Sequence, residues 1–373
     1  MSIMLLLGFL LTGIIFFSAI FPLKNRWKYL WLIPVVFFSF KYHTTRFFGG
    51  NYFTPELPGW VILWWAVALE IMIFYALFLL LGDIIWLFVP KKHRFRYHRI
   101  MIITALAAAV IPAFIGTYNA IKPPRINRKT ITISKLQNTG KPLKISVISD
   151  LHVDKINNSS RLKKIVQLSN AERPDIVVLT GDLVDGPPEA LAQEMSPLKE
   201  LYAPYGVYMV PGNHEYYSNW DIWRPEMLKL GFKVLENQHL TTDTPAGPVV
   251  IAGTTDFSAH HFGHPYPNVE QALSGKPDDL PVILLFHQPV EARSSAELGV
   301  DLQISGHTHG GMMPILAQMV AAKNNGFISG FYQVDKMTLA LSNGTGIWNG
   351  FPFRFGAPSE IMLLTLVPED NPQ

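Results

Sequence analysis

Ile145-Ser146-Val147-Ile148-Ser149-Asp150-Leu151-His152 reads as a buried strand that ends abruptly in two metal-type donors. The same grammar recurs down the chain. Ile176–Thr180 leads into Gly181-Asp182-Leu183-Val184-Asp185-Gly186, and Val207–Val210 leads into Pro211-Gly212-Asn213-His214-Glu215. Val282–Phe286 ends at His287, and Leu302–Ser305 runs into Gly306-His307-Thr308-His309-Gly310-Gly311. Further β-branched runs lie at Val249–Ala252, Thr338–Ser342 and Ile361–Leu366, and helical stretches at Ser160–Glu172, Glu189–Tyr202 and Asp221–Leu230 fall between several of them. Such alternation predicts layered α/β structure with strands buried on both faces. Five strand ends then deliver Asp, His or Asn to one sheet edge.

Carboxylate oxygen and imidazole nitrogen together suit divalent ions such as Mn, Fe or Zn, and nothing in the donor types chooses among them. In extended backbone, Asp-x-His and His-x-His would each point both side chains to one side. A carboxylate with two oxygens can bridge a pair of ions, and such a pair clamps a phosphoryl group and activates water. Taken singly these pieces are weaker. Asp-Leu-His alone is usually a turn, and Gly-Asp after a strand is more often a turn or a helix cap. Their joint occurrence, each at a strand end, carries the reading.

The blocks D-x-H, G-D, G-N-H-[DE], a lone His and G-H-x-H resemble the calcineurin-like metallophosphoesterase superfamily over about residues 143–367. Gly212–Ser218, Gly306–Gly311, Asn343–Trp348 and Pro358–Ile361 look like its membrane-associated bacterial branch. The resemblance implies a four-layered α/β/β/α sandwich. It implies one metal held by Asp150, His152, Asp182 and His309, and a second held by Asp182, Asn213, His287 and His307. His214 would stabilise the phosphoryl oxygens or protonate the leaving oxygen, and Asp185 and Glu215 are candidates to orient ligand imidazoles. Met312 departs from the branch, which often carries Gln there.

Ahead of this half lies a different composition. The 373-residue chain is 49% hydrophobic with a net charge of +3, and its apolar excess is concentrated in residues 1–121. Residues 1–23 and Met101–Ile121 carry no charge, and Trp60–Val89 is interrupted only by Glu70 and Asp83. Each is long enough to cross a bilayer as a helix. Tyr29–Phe40, with Pro34, would either span with Lys28 and Lys41 snorkelling or lie in the interface. The first run lacks a basic leader and a clear cleavage site, so it reads as an uncleaved helix. Residues 1–121 are therefore expected to form three or four spans, 122–142 a linker that leads into a strand at Thr130–Ser134, and 143–373 the catalytic domain. Glu70 is better explained as a carboxylate facing a neighbouring helix or a wet cavity than as a proton or headgroup site.

The basic clusters Lys24, Arg26, Lys28 and Lys91, Lys92, Arg94, Arg96, Arg99 fall on one side of a four-span arrangement. The positive-inside rule puts that side in the cytoplasm and the catalytic half outside a bacterial inner or plasma membrane. Lys122, Arg125, Arg128 and Lys129 are the opposing signal. Because the basic excess sits between apolar runs, no nucleic-acid partner is expected. Absence of cysteine excludes disulfides, zinc–thiolate sites and thiol nucleophiles.

The expected activity is hydrolysis of a phosphate monoester, diester or pyrophosphate, lipid-linked or close to the bilayer. Two alternatives stand beside it: a cytoplasm-facing hydrolase of the UDP-acylglucosamine type, and a non-catalytic membrane sensor or accessory. His260, His261 and His264 read as a surface loop, with lining of the substrate entrance the alternative, and Trp348 and Phe351–Phe355 as packing residues, with acyl-chain or bilayer contact the alternative for the latter group.

Overall fold

Alternation along the strands dictates the layering. In β2 (Leu143–Ile148), Ile145 and Val147 face the opposite way from Ile148. In β3 (Ile176–Leu179), Ile176 and Val178 oppose Val177 and Leu179. In β7 (Gly247–Gly253) and β8 (Val282–Leu285) the same split separates Val249, Ile251, Ile283 and Leu285 from Val250, Ala252, Val282 and Leu284. One set from each sheet joins a shared core that includes Val210, Leu235 and Ile304. The other sets pack outward, in one sheet against the helices Ser159–Ala171, Pro188–Met195 and Trp220–Lys229, in the other around Phe286 and Ala292. A strand with two apolar faces has to be covered twice. The computed structural model accordingly shows helices, two sheets and helices in four layers, and it describes residues 3–49 and 55–369.

The remaining strands are β1 (Arg125–Ile133), β4 (Val207–Met209), β5 (Lys233–Val234), β6 (Gln238–Thr244), β9 (Leu302–Ser305), β10 (Gly330–Val334), β11 (Met337–Leu341) and β12 (Glu360–Pro368). One sheet runs β1-β12-β2-β3-β4-β5 and the other β10-β11-β9-β8-β7-β6. β2, β3 and β4 are mutually parallel, as are β7, β8 and β9. Their carboxyl ends therefore lie together in each sheet, the usual place for a ligand crevice in such folds.

By its internal contacts the chain divides into two units, Met1–Ile121 with Asn349–Phe353, and Lys122–Trp348 with Arg354–Gln373. In the first unit, among the described residues, two helices are long and apolar enough to cross a membrane, Gly59–Trp86 and Lys91–Ile121. The earlier apolar runs form shorter helices, Met4–Ile20, which ends in a π-helical turn, and Trp27–Ser39. Glu70 is fully buried and accepts a hydrogen bond from Thr117 Oγ1 at 2.7 Å, so it faces the neighbouring helix.

Candidate metal centre

The donors singled out in the sequence lie beyond strand ends, but at five of the seven the backbone is not extended. Asp150, His152, Asp182, His307 and His309 have φ of 52°, 47°, 54°, 70° and 49°. Left-handed backbone, not strand alternation, turns these side chains into one cavity, which corrects the extended-backbone expectation. Non-glycine residues adopt it at a cost of order 1–2 kcal/mol each, and such strain gathers at functional sites. The neighbouring loops must approach closely as well: a Cβ at Gly306 would strike the Asp150 carboxylate and one at Gly212 the Asp182 carboxylate.

Two donor groups result. His309 Nε2 lies 3.0 Å from His152 Nε2 and 3.6 Å from Asp150 Oδ1. In the other group, His287 Nε2 stands 3.2 Å from Asn213 Oδ1 and 3.3 Å from His307 Nδ1, and His307 Nδ1 is 3.0 Å from Asn213 Oδ1. Asp182 Oδ2 faces both, 3.2 Å from His287 Nε2 and 3.9 Å from His152 Nε2. Donors bonded to one ion at about 2.1 Å are separated by roughly 3.0–3.4 Å for octahedral or tetrahedral angles. The spacing and the O/N chemistry fit two divalent ions, with Asp182 placed to be shared.

Imidazole orientation is fixed from behind. His287 Nδ1–H donates to the Thr180 carbonyl at 2.7 Å, and His152 Nδ1–H donates to Asp185 Oδ1 at 2.8 Å. Each bond leaves the Nε2 lone pair directed at the cavity, as metal ligation requires. Asp185 Oδ1 also lies 2.6 Å from His214 Nδ1, so a single carboxylate aligns a candidate ligand and the candidate acid. The cluster His152, Asp185 and His214 is thus a hydrogen-bonded bracket behind the cavity.

Glu215 does something other than orient an imidazole. Its fully buried carboxylate accepts backbone N–H groups from Leu183 (2.6 Å) and Val184 (3.3 Å) on one oxygen, and from Asp182 (2.8 Å) and Gly212 (2.7 Å) on the other. It therefore ties the Asp182 loop to the Asn213 loop through the main chain.

Electrostatics follow from burial and crowding. Burial acts against the charged imidazolium, yet the carboxylates of Asp182 and Asp185 outweigh it at His214, whose pKa is pushed up to about 9. Asp182, helped by its own bond to His287, raises His287 to about 10 by the same balance. Asp182 is itself held well below the usual carboxylate range: burial opposes this, but His287 and His214 prevail. His307, desolvated and crowded by the His287 imidazole, is lowered to about 3.

The cavity above the donors, about 580 Å³, is lined by His152, Asp182, Asn213, His214, His307 and His309, and by residues that the motif reading left out: Gln288, Lys323 and Asn324. Trp348 and Met312 border it as well. His260 and His261 are exposed and His264 lies 3.5 Å from Asp221; none of the three borders the cavity.

Arg354 was missed altogether. Buried, it donates from Nη1 to the carbonyls of His309 (2.9 Å) and Asn343, while Nη2 donates to Gly346 O (3.3 Å) and stands 3.0 Å from His309 Nδ1. The available signal was a lone cation inside the apolar stretch Phe351–Phe355.

Comparison with known proteins adds to this geometry. Residues 143–311 match the family described as calcineurin-like phosphoesterase. An uncharacterized metallophosphoesterase of Helicobacter pylori is 34% identical over 260 residues, covering 69% of this chain and 67% of that protein. Another, from Bacillus subtilis, is 31% identical over 274 residues, covering 70% and 93%. A Bos taurus protein described as a transmembrane protein with metallophosphoesterase domain is 32% identical over 276 residues, covering 70% of this chain but only 61% of its own length. The chain thus spans about three fifths of that relative.

Proposed function

Because this chain belongs to the calcineurin-like phosphoesterase family, we propose that it is a membrane-anchored hydrolase of phosphate esters with a dinuclear metal centre. The observation that carries the reading is Asp182 standing between two donor groups, with His214 beside them at the same cavity. Asp150, His152, Asp182 and His309 would hold one ion, and Asp182, Asn213, His287 and His307 the other. Two such ions supply charge neutralisation at the phosphoryl oxygens and a water activated for in-line attack.

The chain's own residues do the rest. His214, as the imidazolium, donates its Nδ1–H to Asp185 and keeps its Nε2–H facing the cavity, able to donate to a phosphoryl oxygen and then to give its proton to the departing oxygen. Glu215 fixes the relation of the Asp182 and Asn213 loops, so the donors need not reorganise during the reaction.

The anchor supports a substrate at the bilayer, a phosphate ester that is lipid-linked or membrane-proximal, because tethering raises its effective concentration. An extracytoplasmic catalytic half is supported by the last basic connector, Lys91–Arg99, at the start of the Lys91–Ile121 helix. If that connector is cytoplasmic, whatever follows Ile121 is outside, regardless of how the first two helices lie. The opposing cluster is the weaker signal: Arg125 lies 3.6 Å from Glu360 and Arg128 2.6 Å from Glu172, so both are side chains of a folded strand and not free loop charges. The cytoplasm-facing pyrophosphate hydrolase remains the rival that this cluster favours. Alkaline phosphatase fused after Gln373 is expected to be active; a fluorescent green fluorescent protein fusion with an inactive phosphatase fusion would reverse the orientation. Purified chain is expected to bind about two equivalents of Mn, Fe or Zn and to hydrolyse a chromogenic phosphodiester. Metal-replete protein with no turnover on a broad ester panel would leave the sensor reading.

A further inference from the structure

The cavity lining combines the metal donors and His214 with an apolar group, Met312, Val320 and Trp348, and with the polar Gln288, Thr308, Lys323 and Asn324. Met312 is set by a left-handed φ of 58°, directly after the donor loop, and Val320 and Lys323 sit one turn apart on the helix Pro314–Lys323. Only Gln318 and Lys323 are polar in that ten-residue helix. A helix at the surface of a water-soluble domain normally carries a charged or polar outer face. Here Met319 is 58% exposed, and Trp348 is partly exposed where it lines the cavity. A site made only for a small polar ester gains nothing from this apolar group, whereas each methylene buried on it strengthens binding about fourfold, the equivalent of about 0.8 kcal/mol.

We infer that the phosphate ester carries an apolar chain, which lies against Met312, Val320 and Trp348 while its phosphoryl group faces the donors. The occupant is an anionic amphiphile: the apolar group takes the tail, and the Lys323 ammonium supplies a cation outside the donor cluster for its head. The inference rests on the phosphoesterase reading above and names the substrate class for that site.

The test uses the full chain in detergent, metal-loaded, and alkyl p-nitrophenyl phosphodiesters from methyl to octyl, all below their micellar concentration. The leaving group is the same throughout, so only the tail varies. Burial of three methylenes at about fourfold each predicts that kcat/KM rises roughly sixtyfold from methyl to octyl. Val320→Asp and, on a separate element, Met312→Gln are each expected to cut that ratio at least fivefold. Calorimetry with chelator-treated chain gives a second readout, in which octyl phosphate binds the parent at least fivefold more tightly than it binds Val320→Asp. A flat series in the parent, or a slope unchanged in both variants, overturns the tail subsite. Failure to hydrolyse any of the diesters and p-nitrophenyl phosphate as well would instead count against the phosphoesterase reading.

Discussion

Glu215→Gln isolates the main-chain bracket between the two metal loops. Each carboxylate oxygen of Glu215 accepts two backbone N–H groups, four in all. The isosteric amide keeps one acceptor oxygen and turns an NH2 toward the other pair, so two fully buried donors lose their partner whichever way the amide is flipped. An unsatisfied buried donor costs about 1–3 kcal/mol, which gives a loss of roughly 2–6 kcal/mol with no change in side-chain volume. For a unit of this size, 1 kcal/mol moves the midpoint by about 2–4 °C, so Tm should fall by roughly 5–20 °C. The measurement is thermal unfolding of the full chain in detergent, with metal content by mass spectrometry on the same samples. Because the bracket ties the Asp182 loop to the Asn213 loop, metal affinity should weaken together with stability. A variant that melts within 1 °C of the parent and still holds two ions per chain would refute the argument, and Glu215 would be an incidental buried acid.

The other expectations concern single donors and their supports. Asp182→Ala removes the shared carboxylate, so bound metal should fall from about two equivalents to below one; two retained ions would show that Asp182 bridges nothing. His214→Ala should keep its metal and lose about 10²–10⁴ in kcat, and a loss below tenfold would remove it as the proton donor. Arg354→Met leaves the carbonyls of His309 and Asn343 without their donor, and should lower metal occupancy to nearer one ion per chain, with Arg354→Lys recovering part of it. Undiminished occupancy in the Met variant would make Arg354 merely structural.

Much of this molecule was legible in the sequence because its donors follow strands that are buried on both faces. Ile176–Leu179 is a continuous apolar run, Ile145–Ile148 is interrupted only by Ser146, and Leu302–Ser305 keeps Leu302 and Ile304 in alternation; all three are fully buried and lead directly into Asp or His donors. Strands at or near sheet edges were harder to see. Gln238–Thr244 is polar and mostly exposed, and Lys233–Val234 is too short to show a period. The left-handed donors were illegible for another reason. Nothing local distinguishes an extended Asp150 from one at φ 52°, because that choice is made by the opposing loop that Gly306 lets in. Long-range partners hid the roles of Glu215 and Arg354 in the same way. The Glu stands in a motif that suggests contact with an imidazole, and the Arg contacts a loop 45 positions away.

The five left-handed donors have a consequence for how this protein tolerates change. Chemistry asks for Asp or His at these positions, while the backbone there would be most at ease with glycine, which adopts positive φ without steric cost. Conserving the reactive side chain and conserving thermal resistance therefore pull apart. His307→Gly, although catalytically dead, should melt no lower than its parent when both are stripped of cations, and a fall of more than about 5 °C would mean that packing around His307 outweighs the relief of its backbone. Screens that select this protein for heat tolerance alone should accordingly drift toward inert variants.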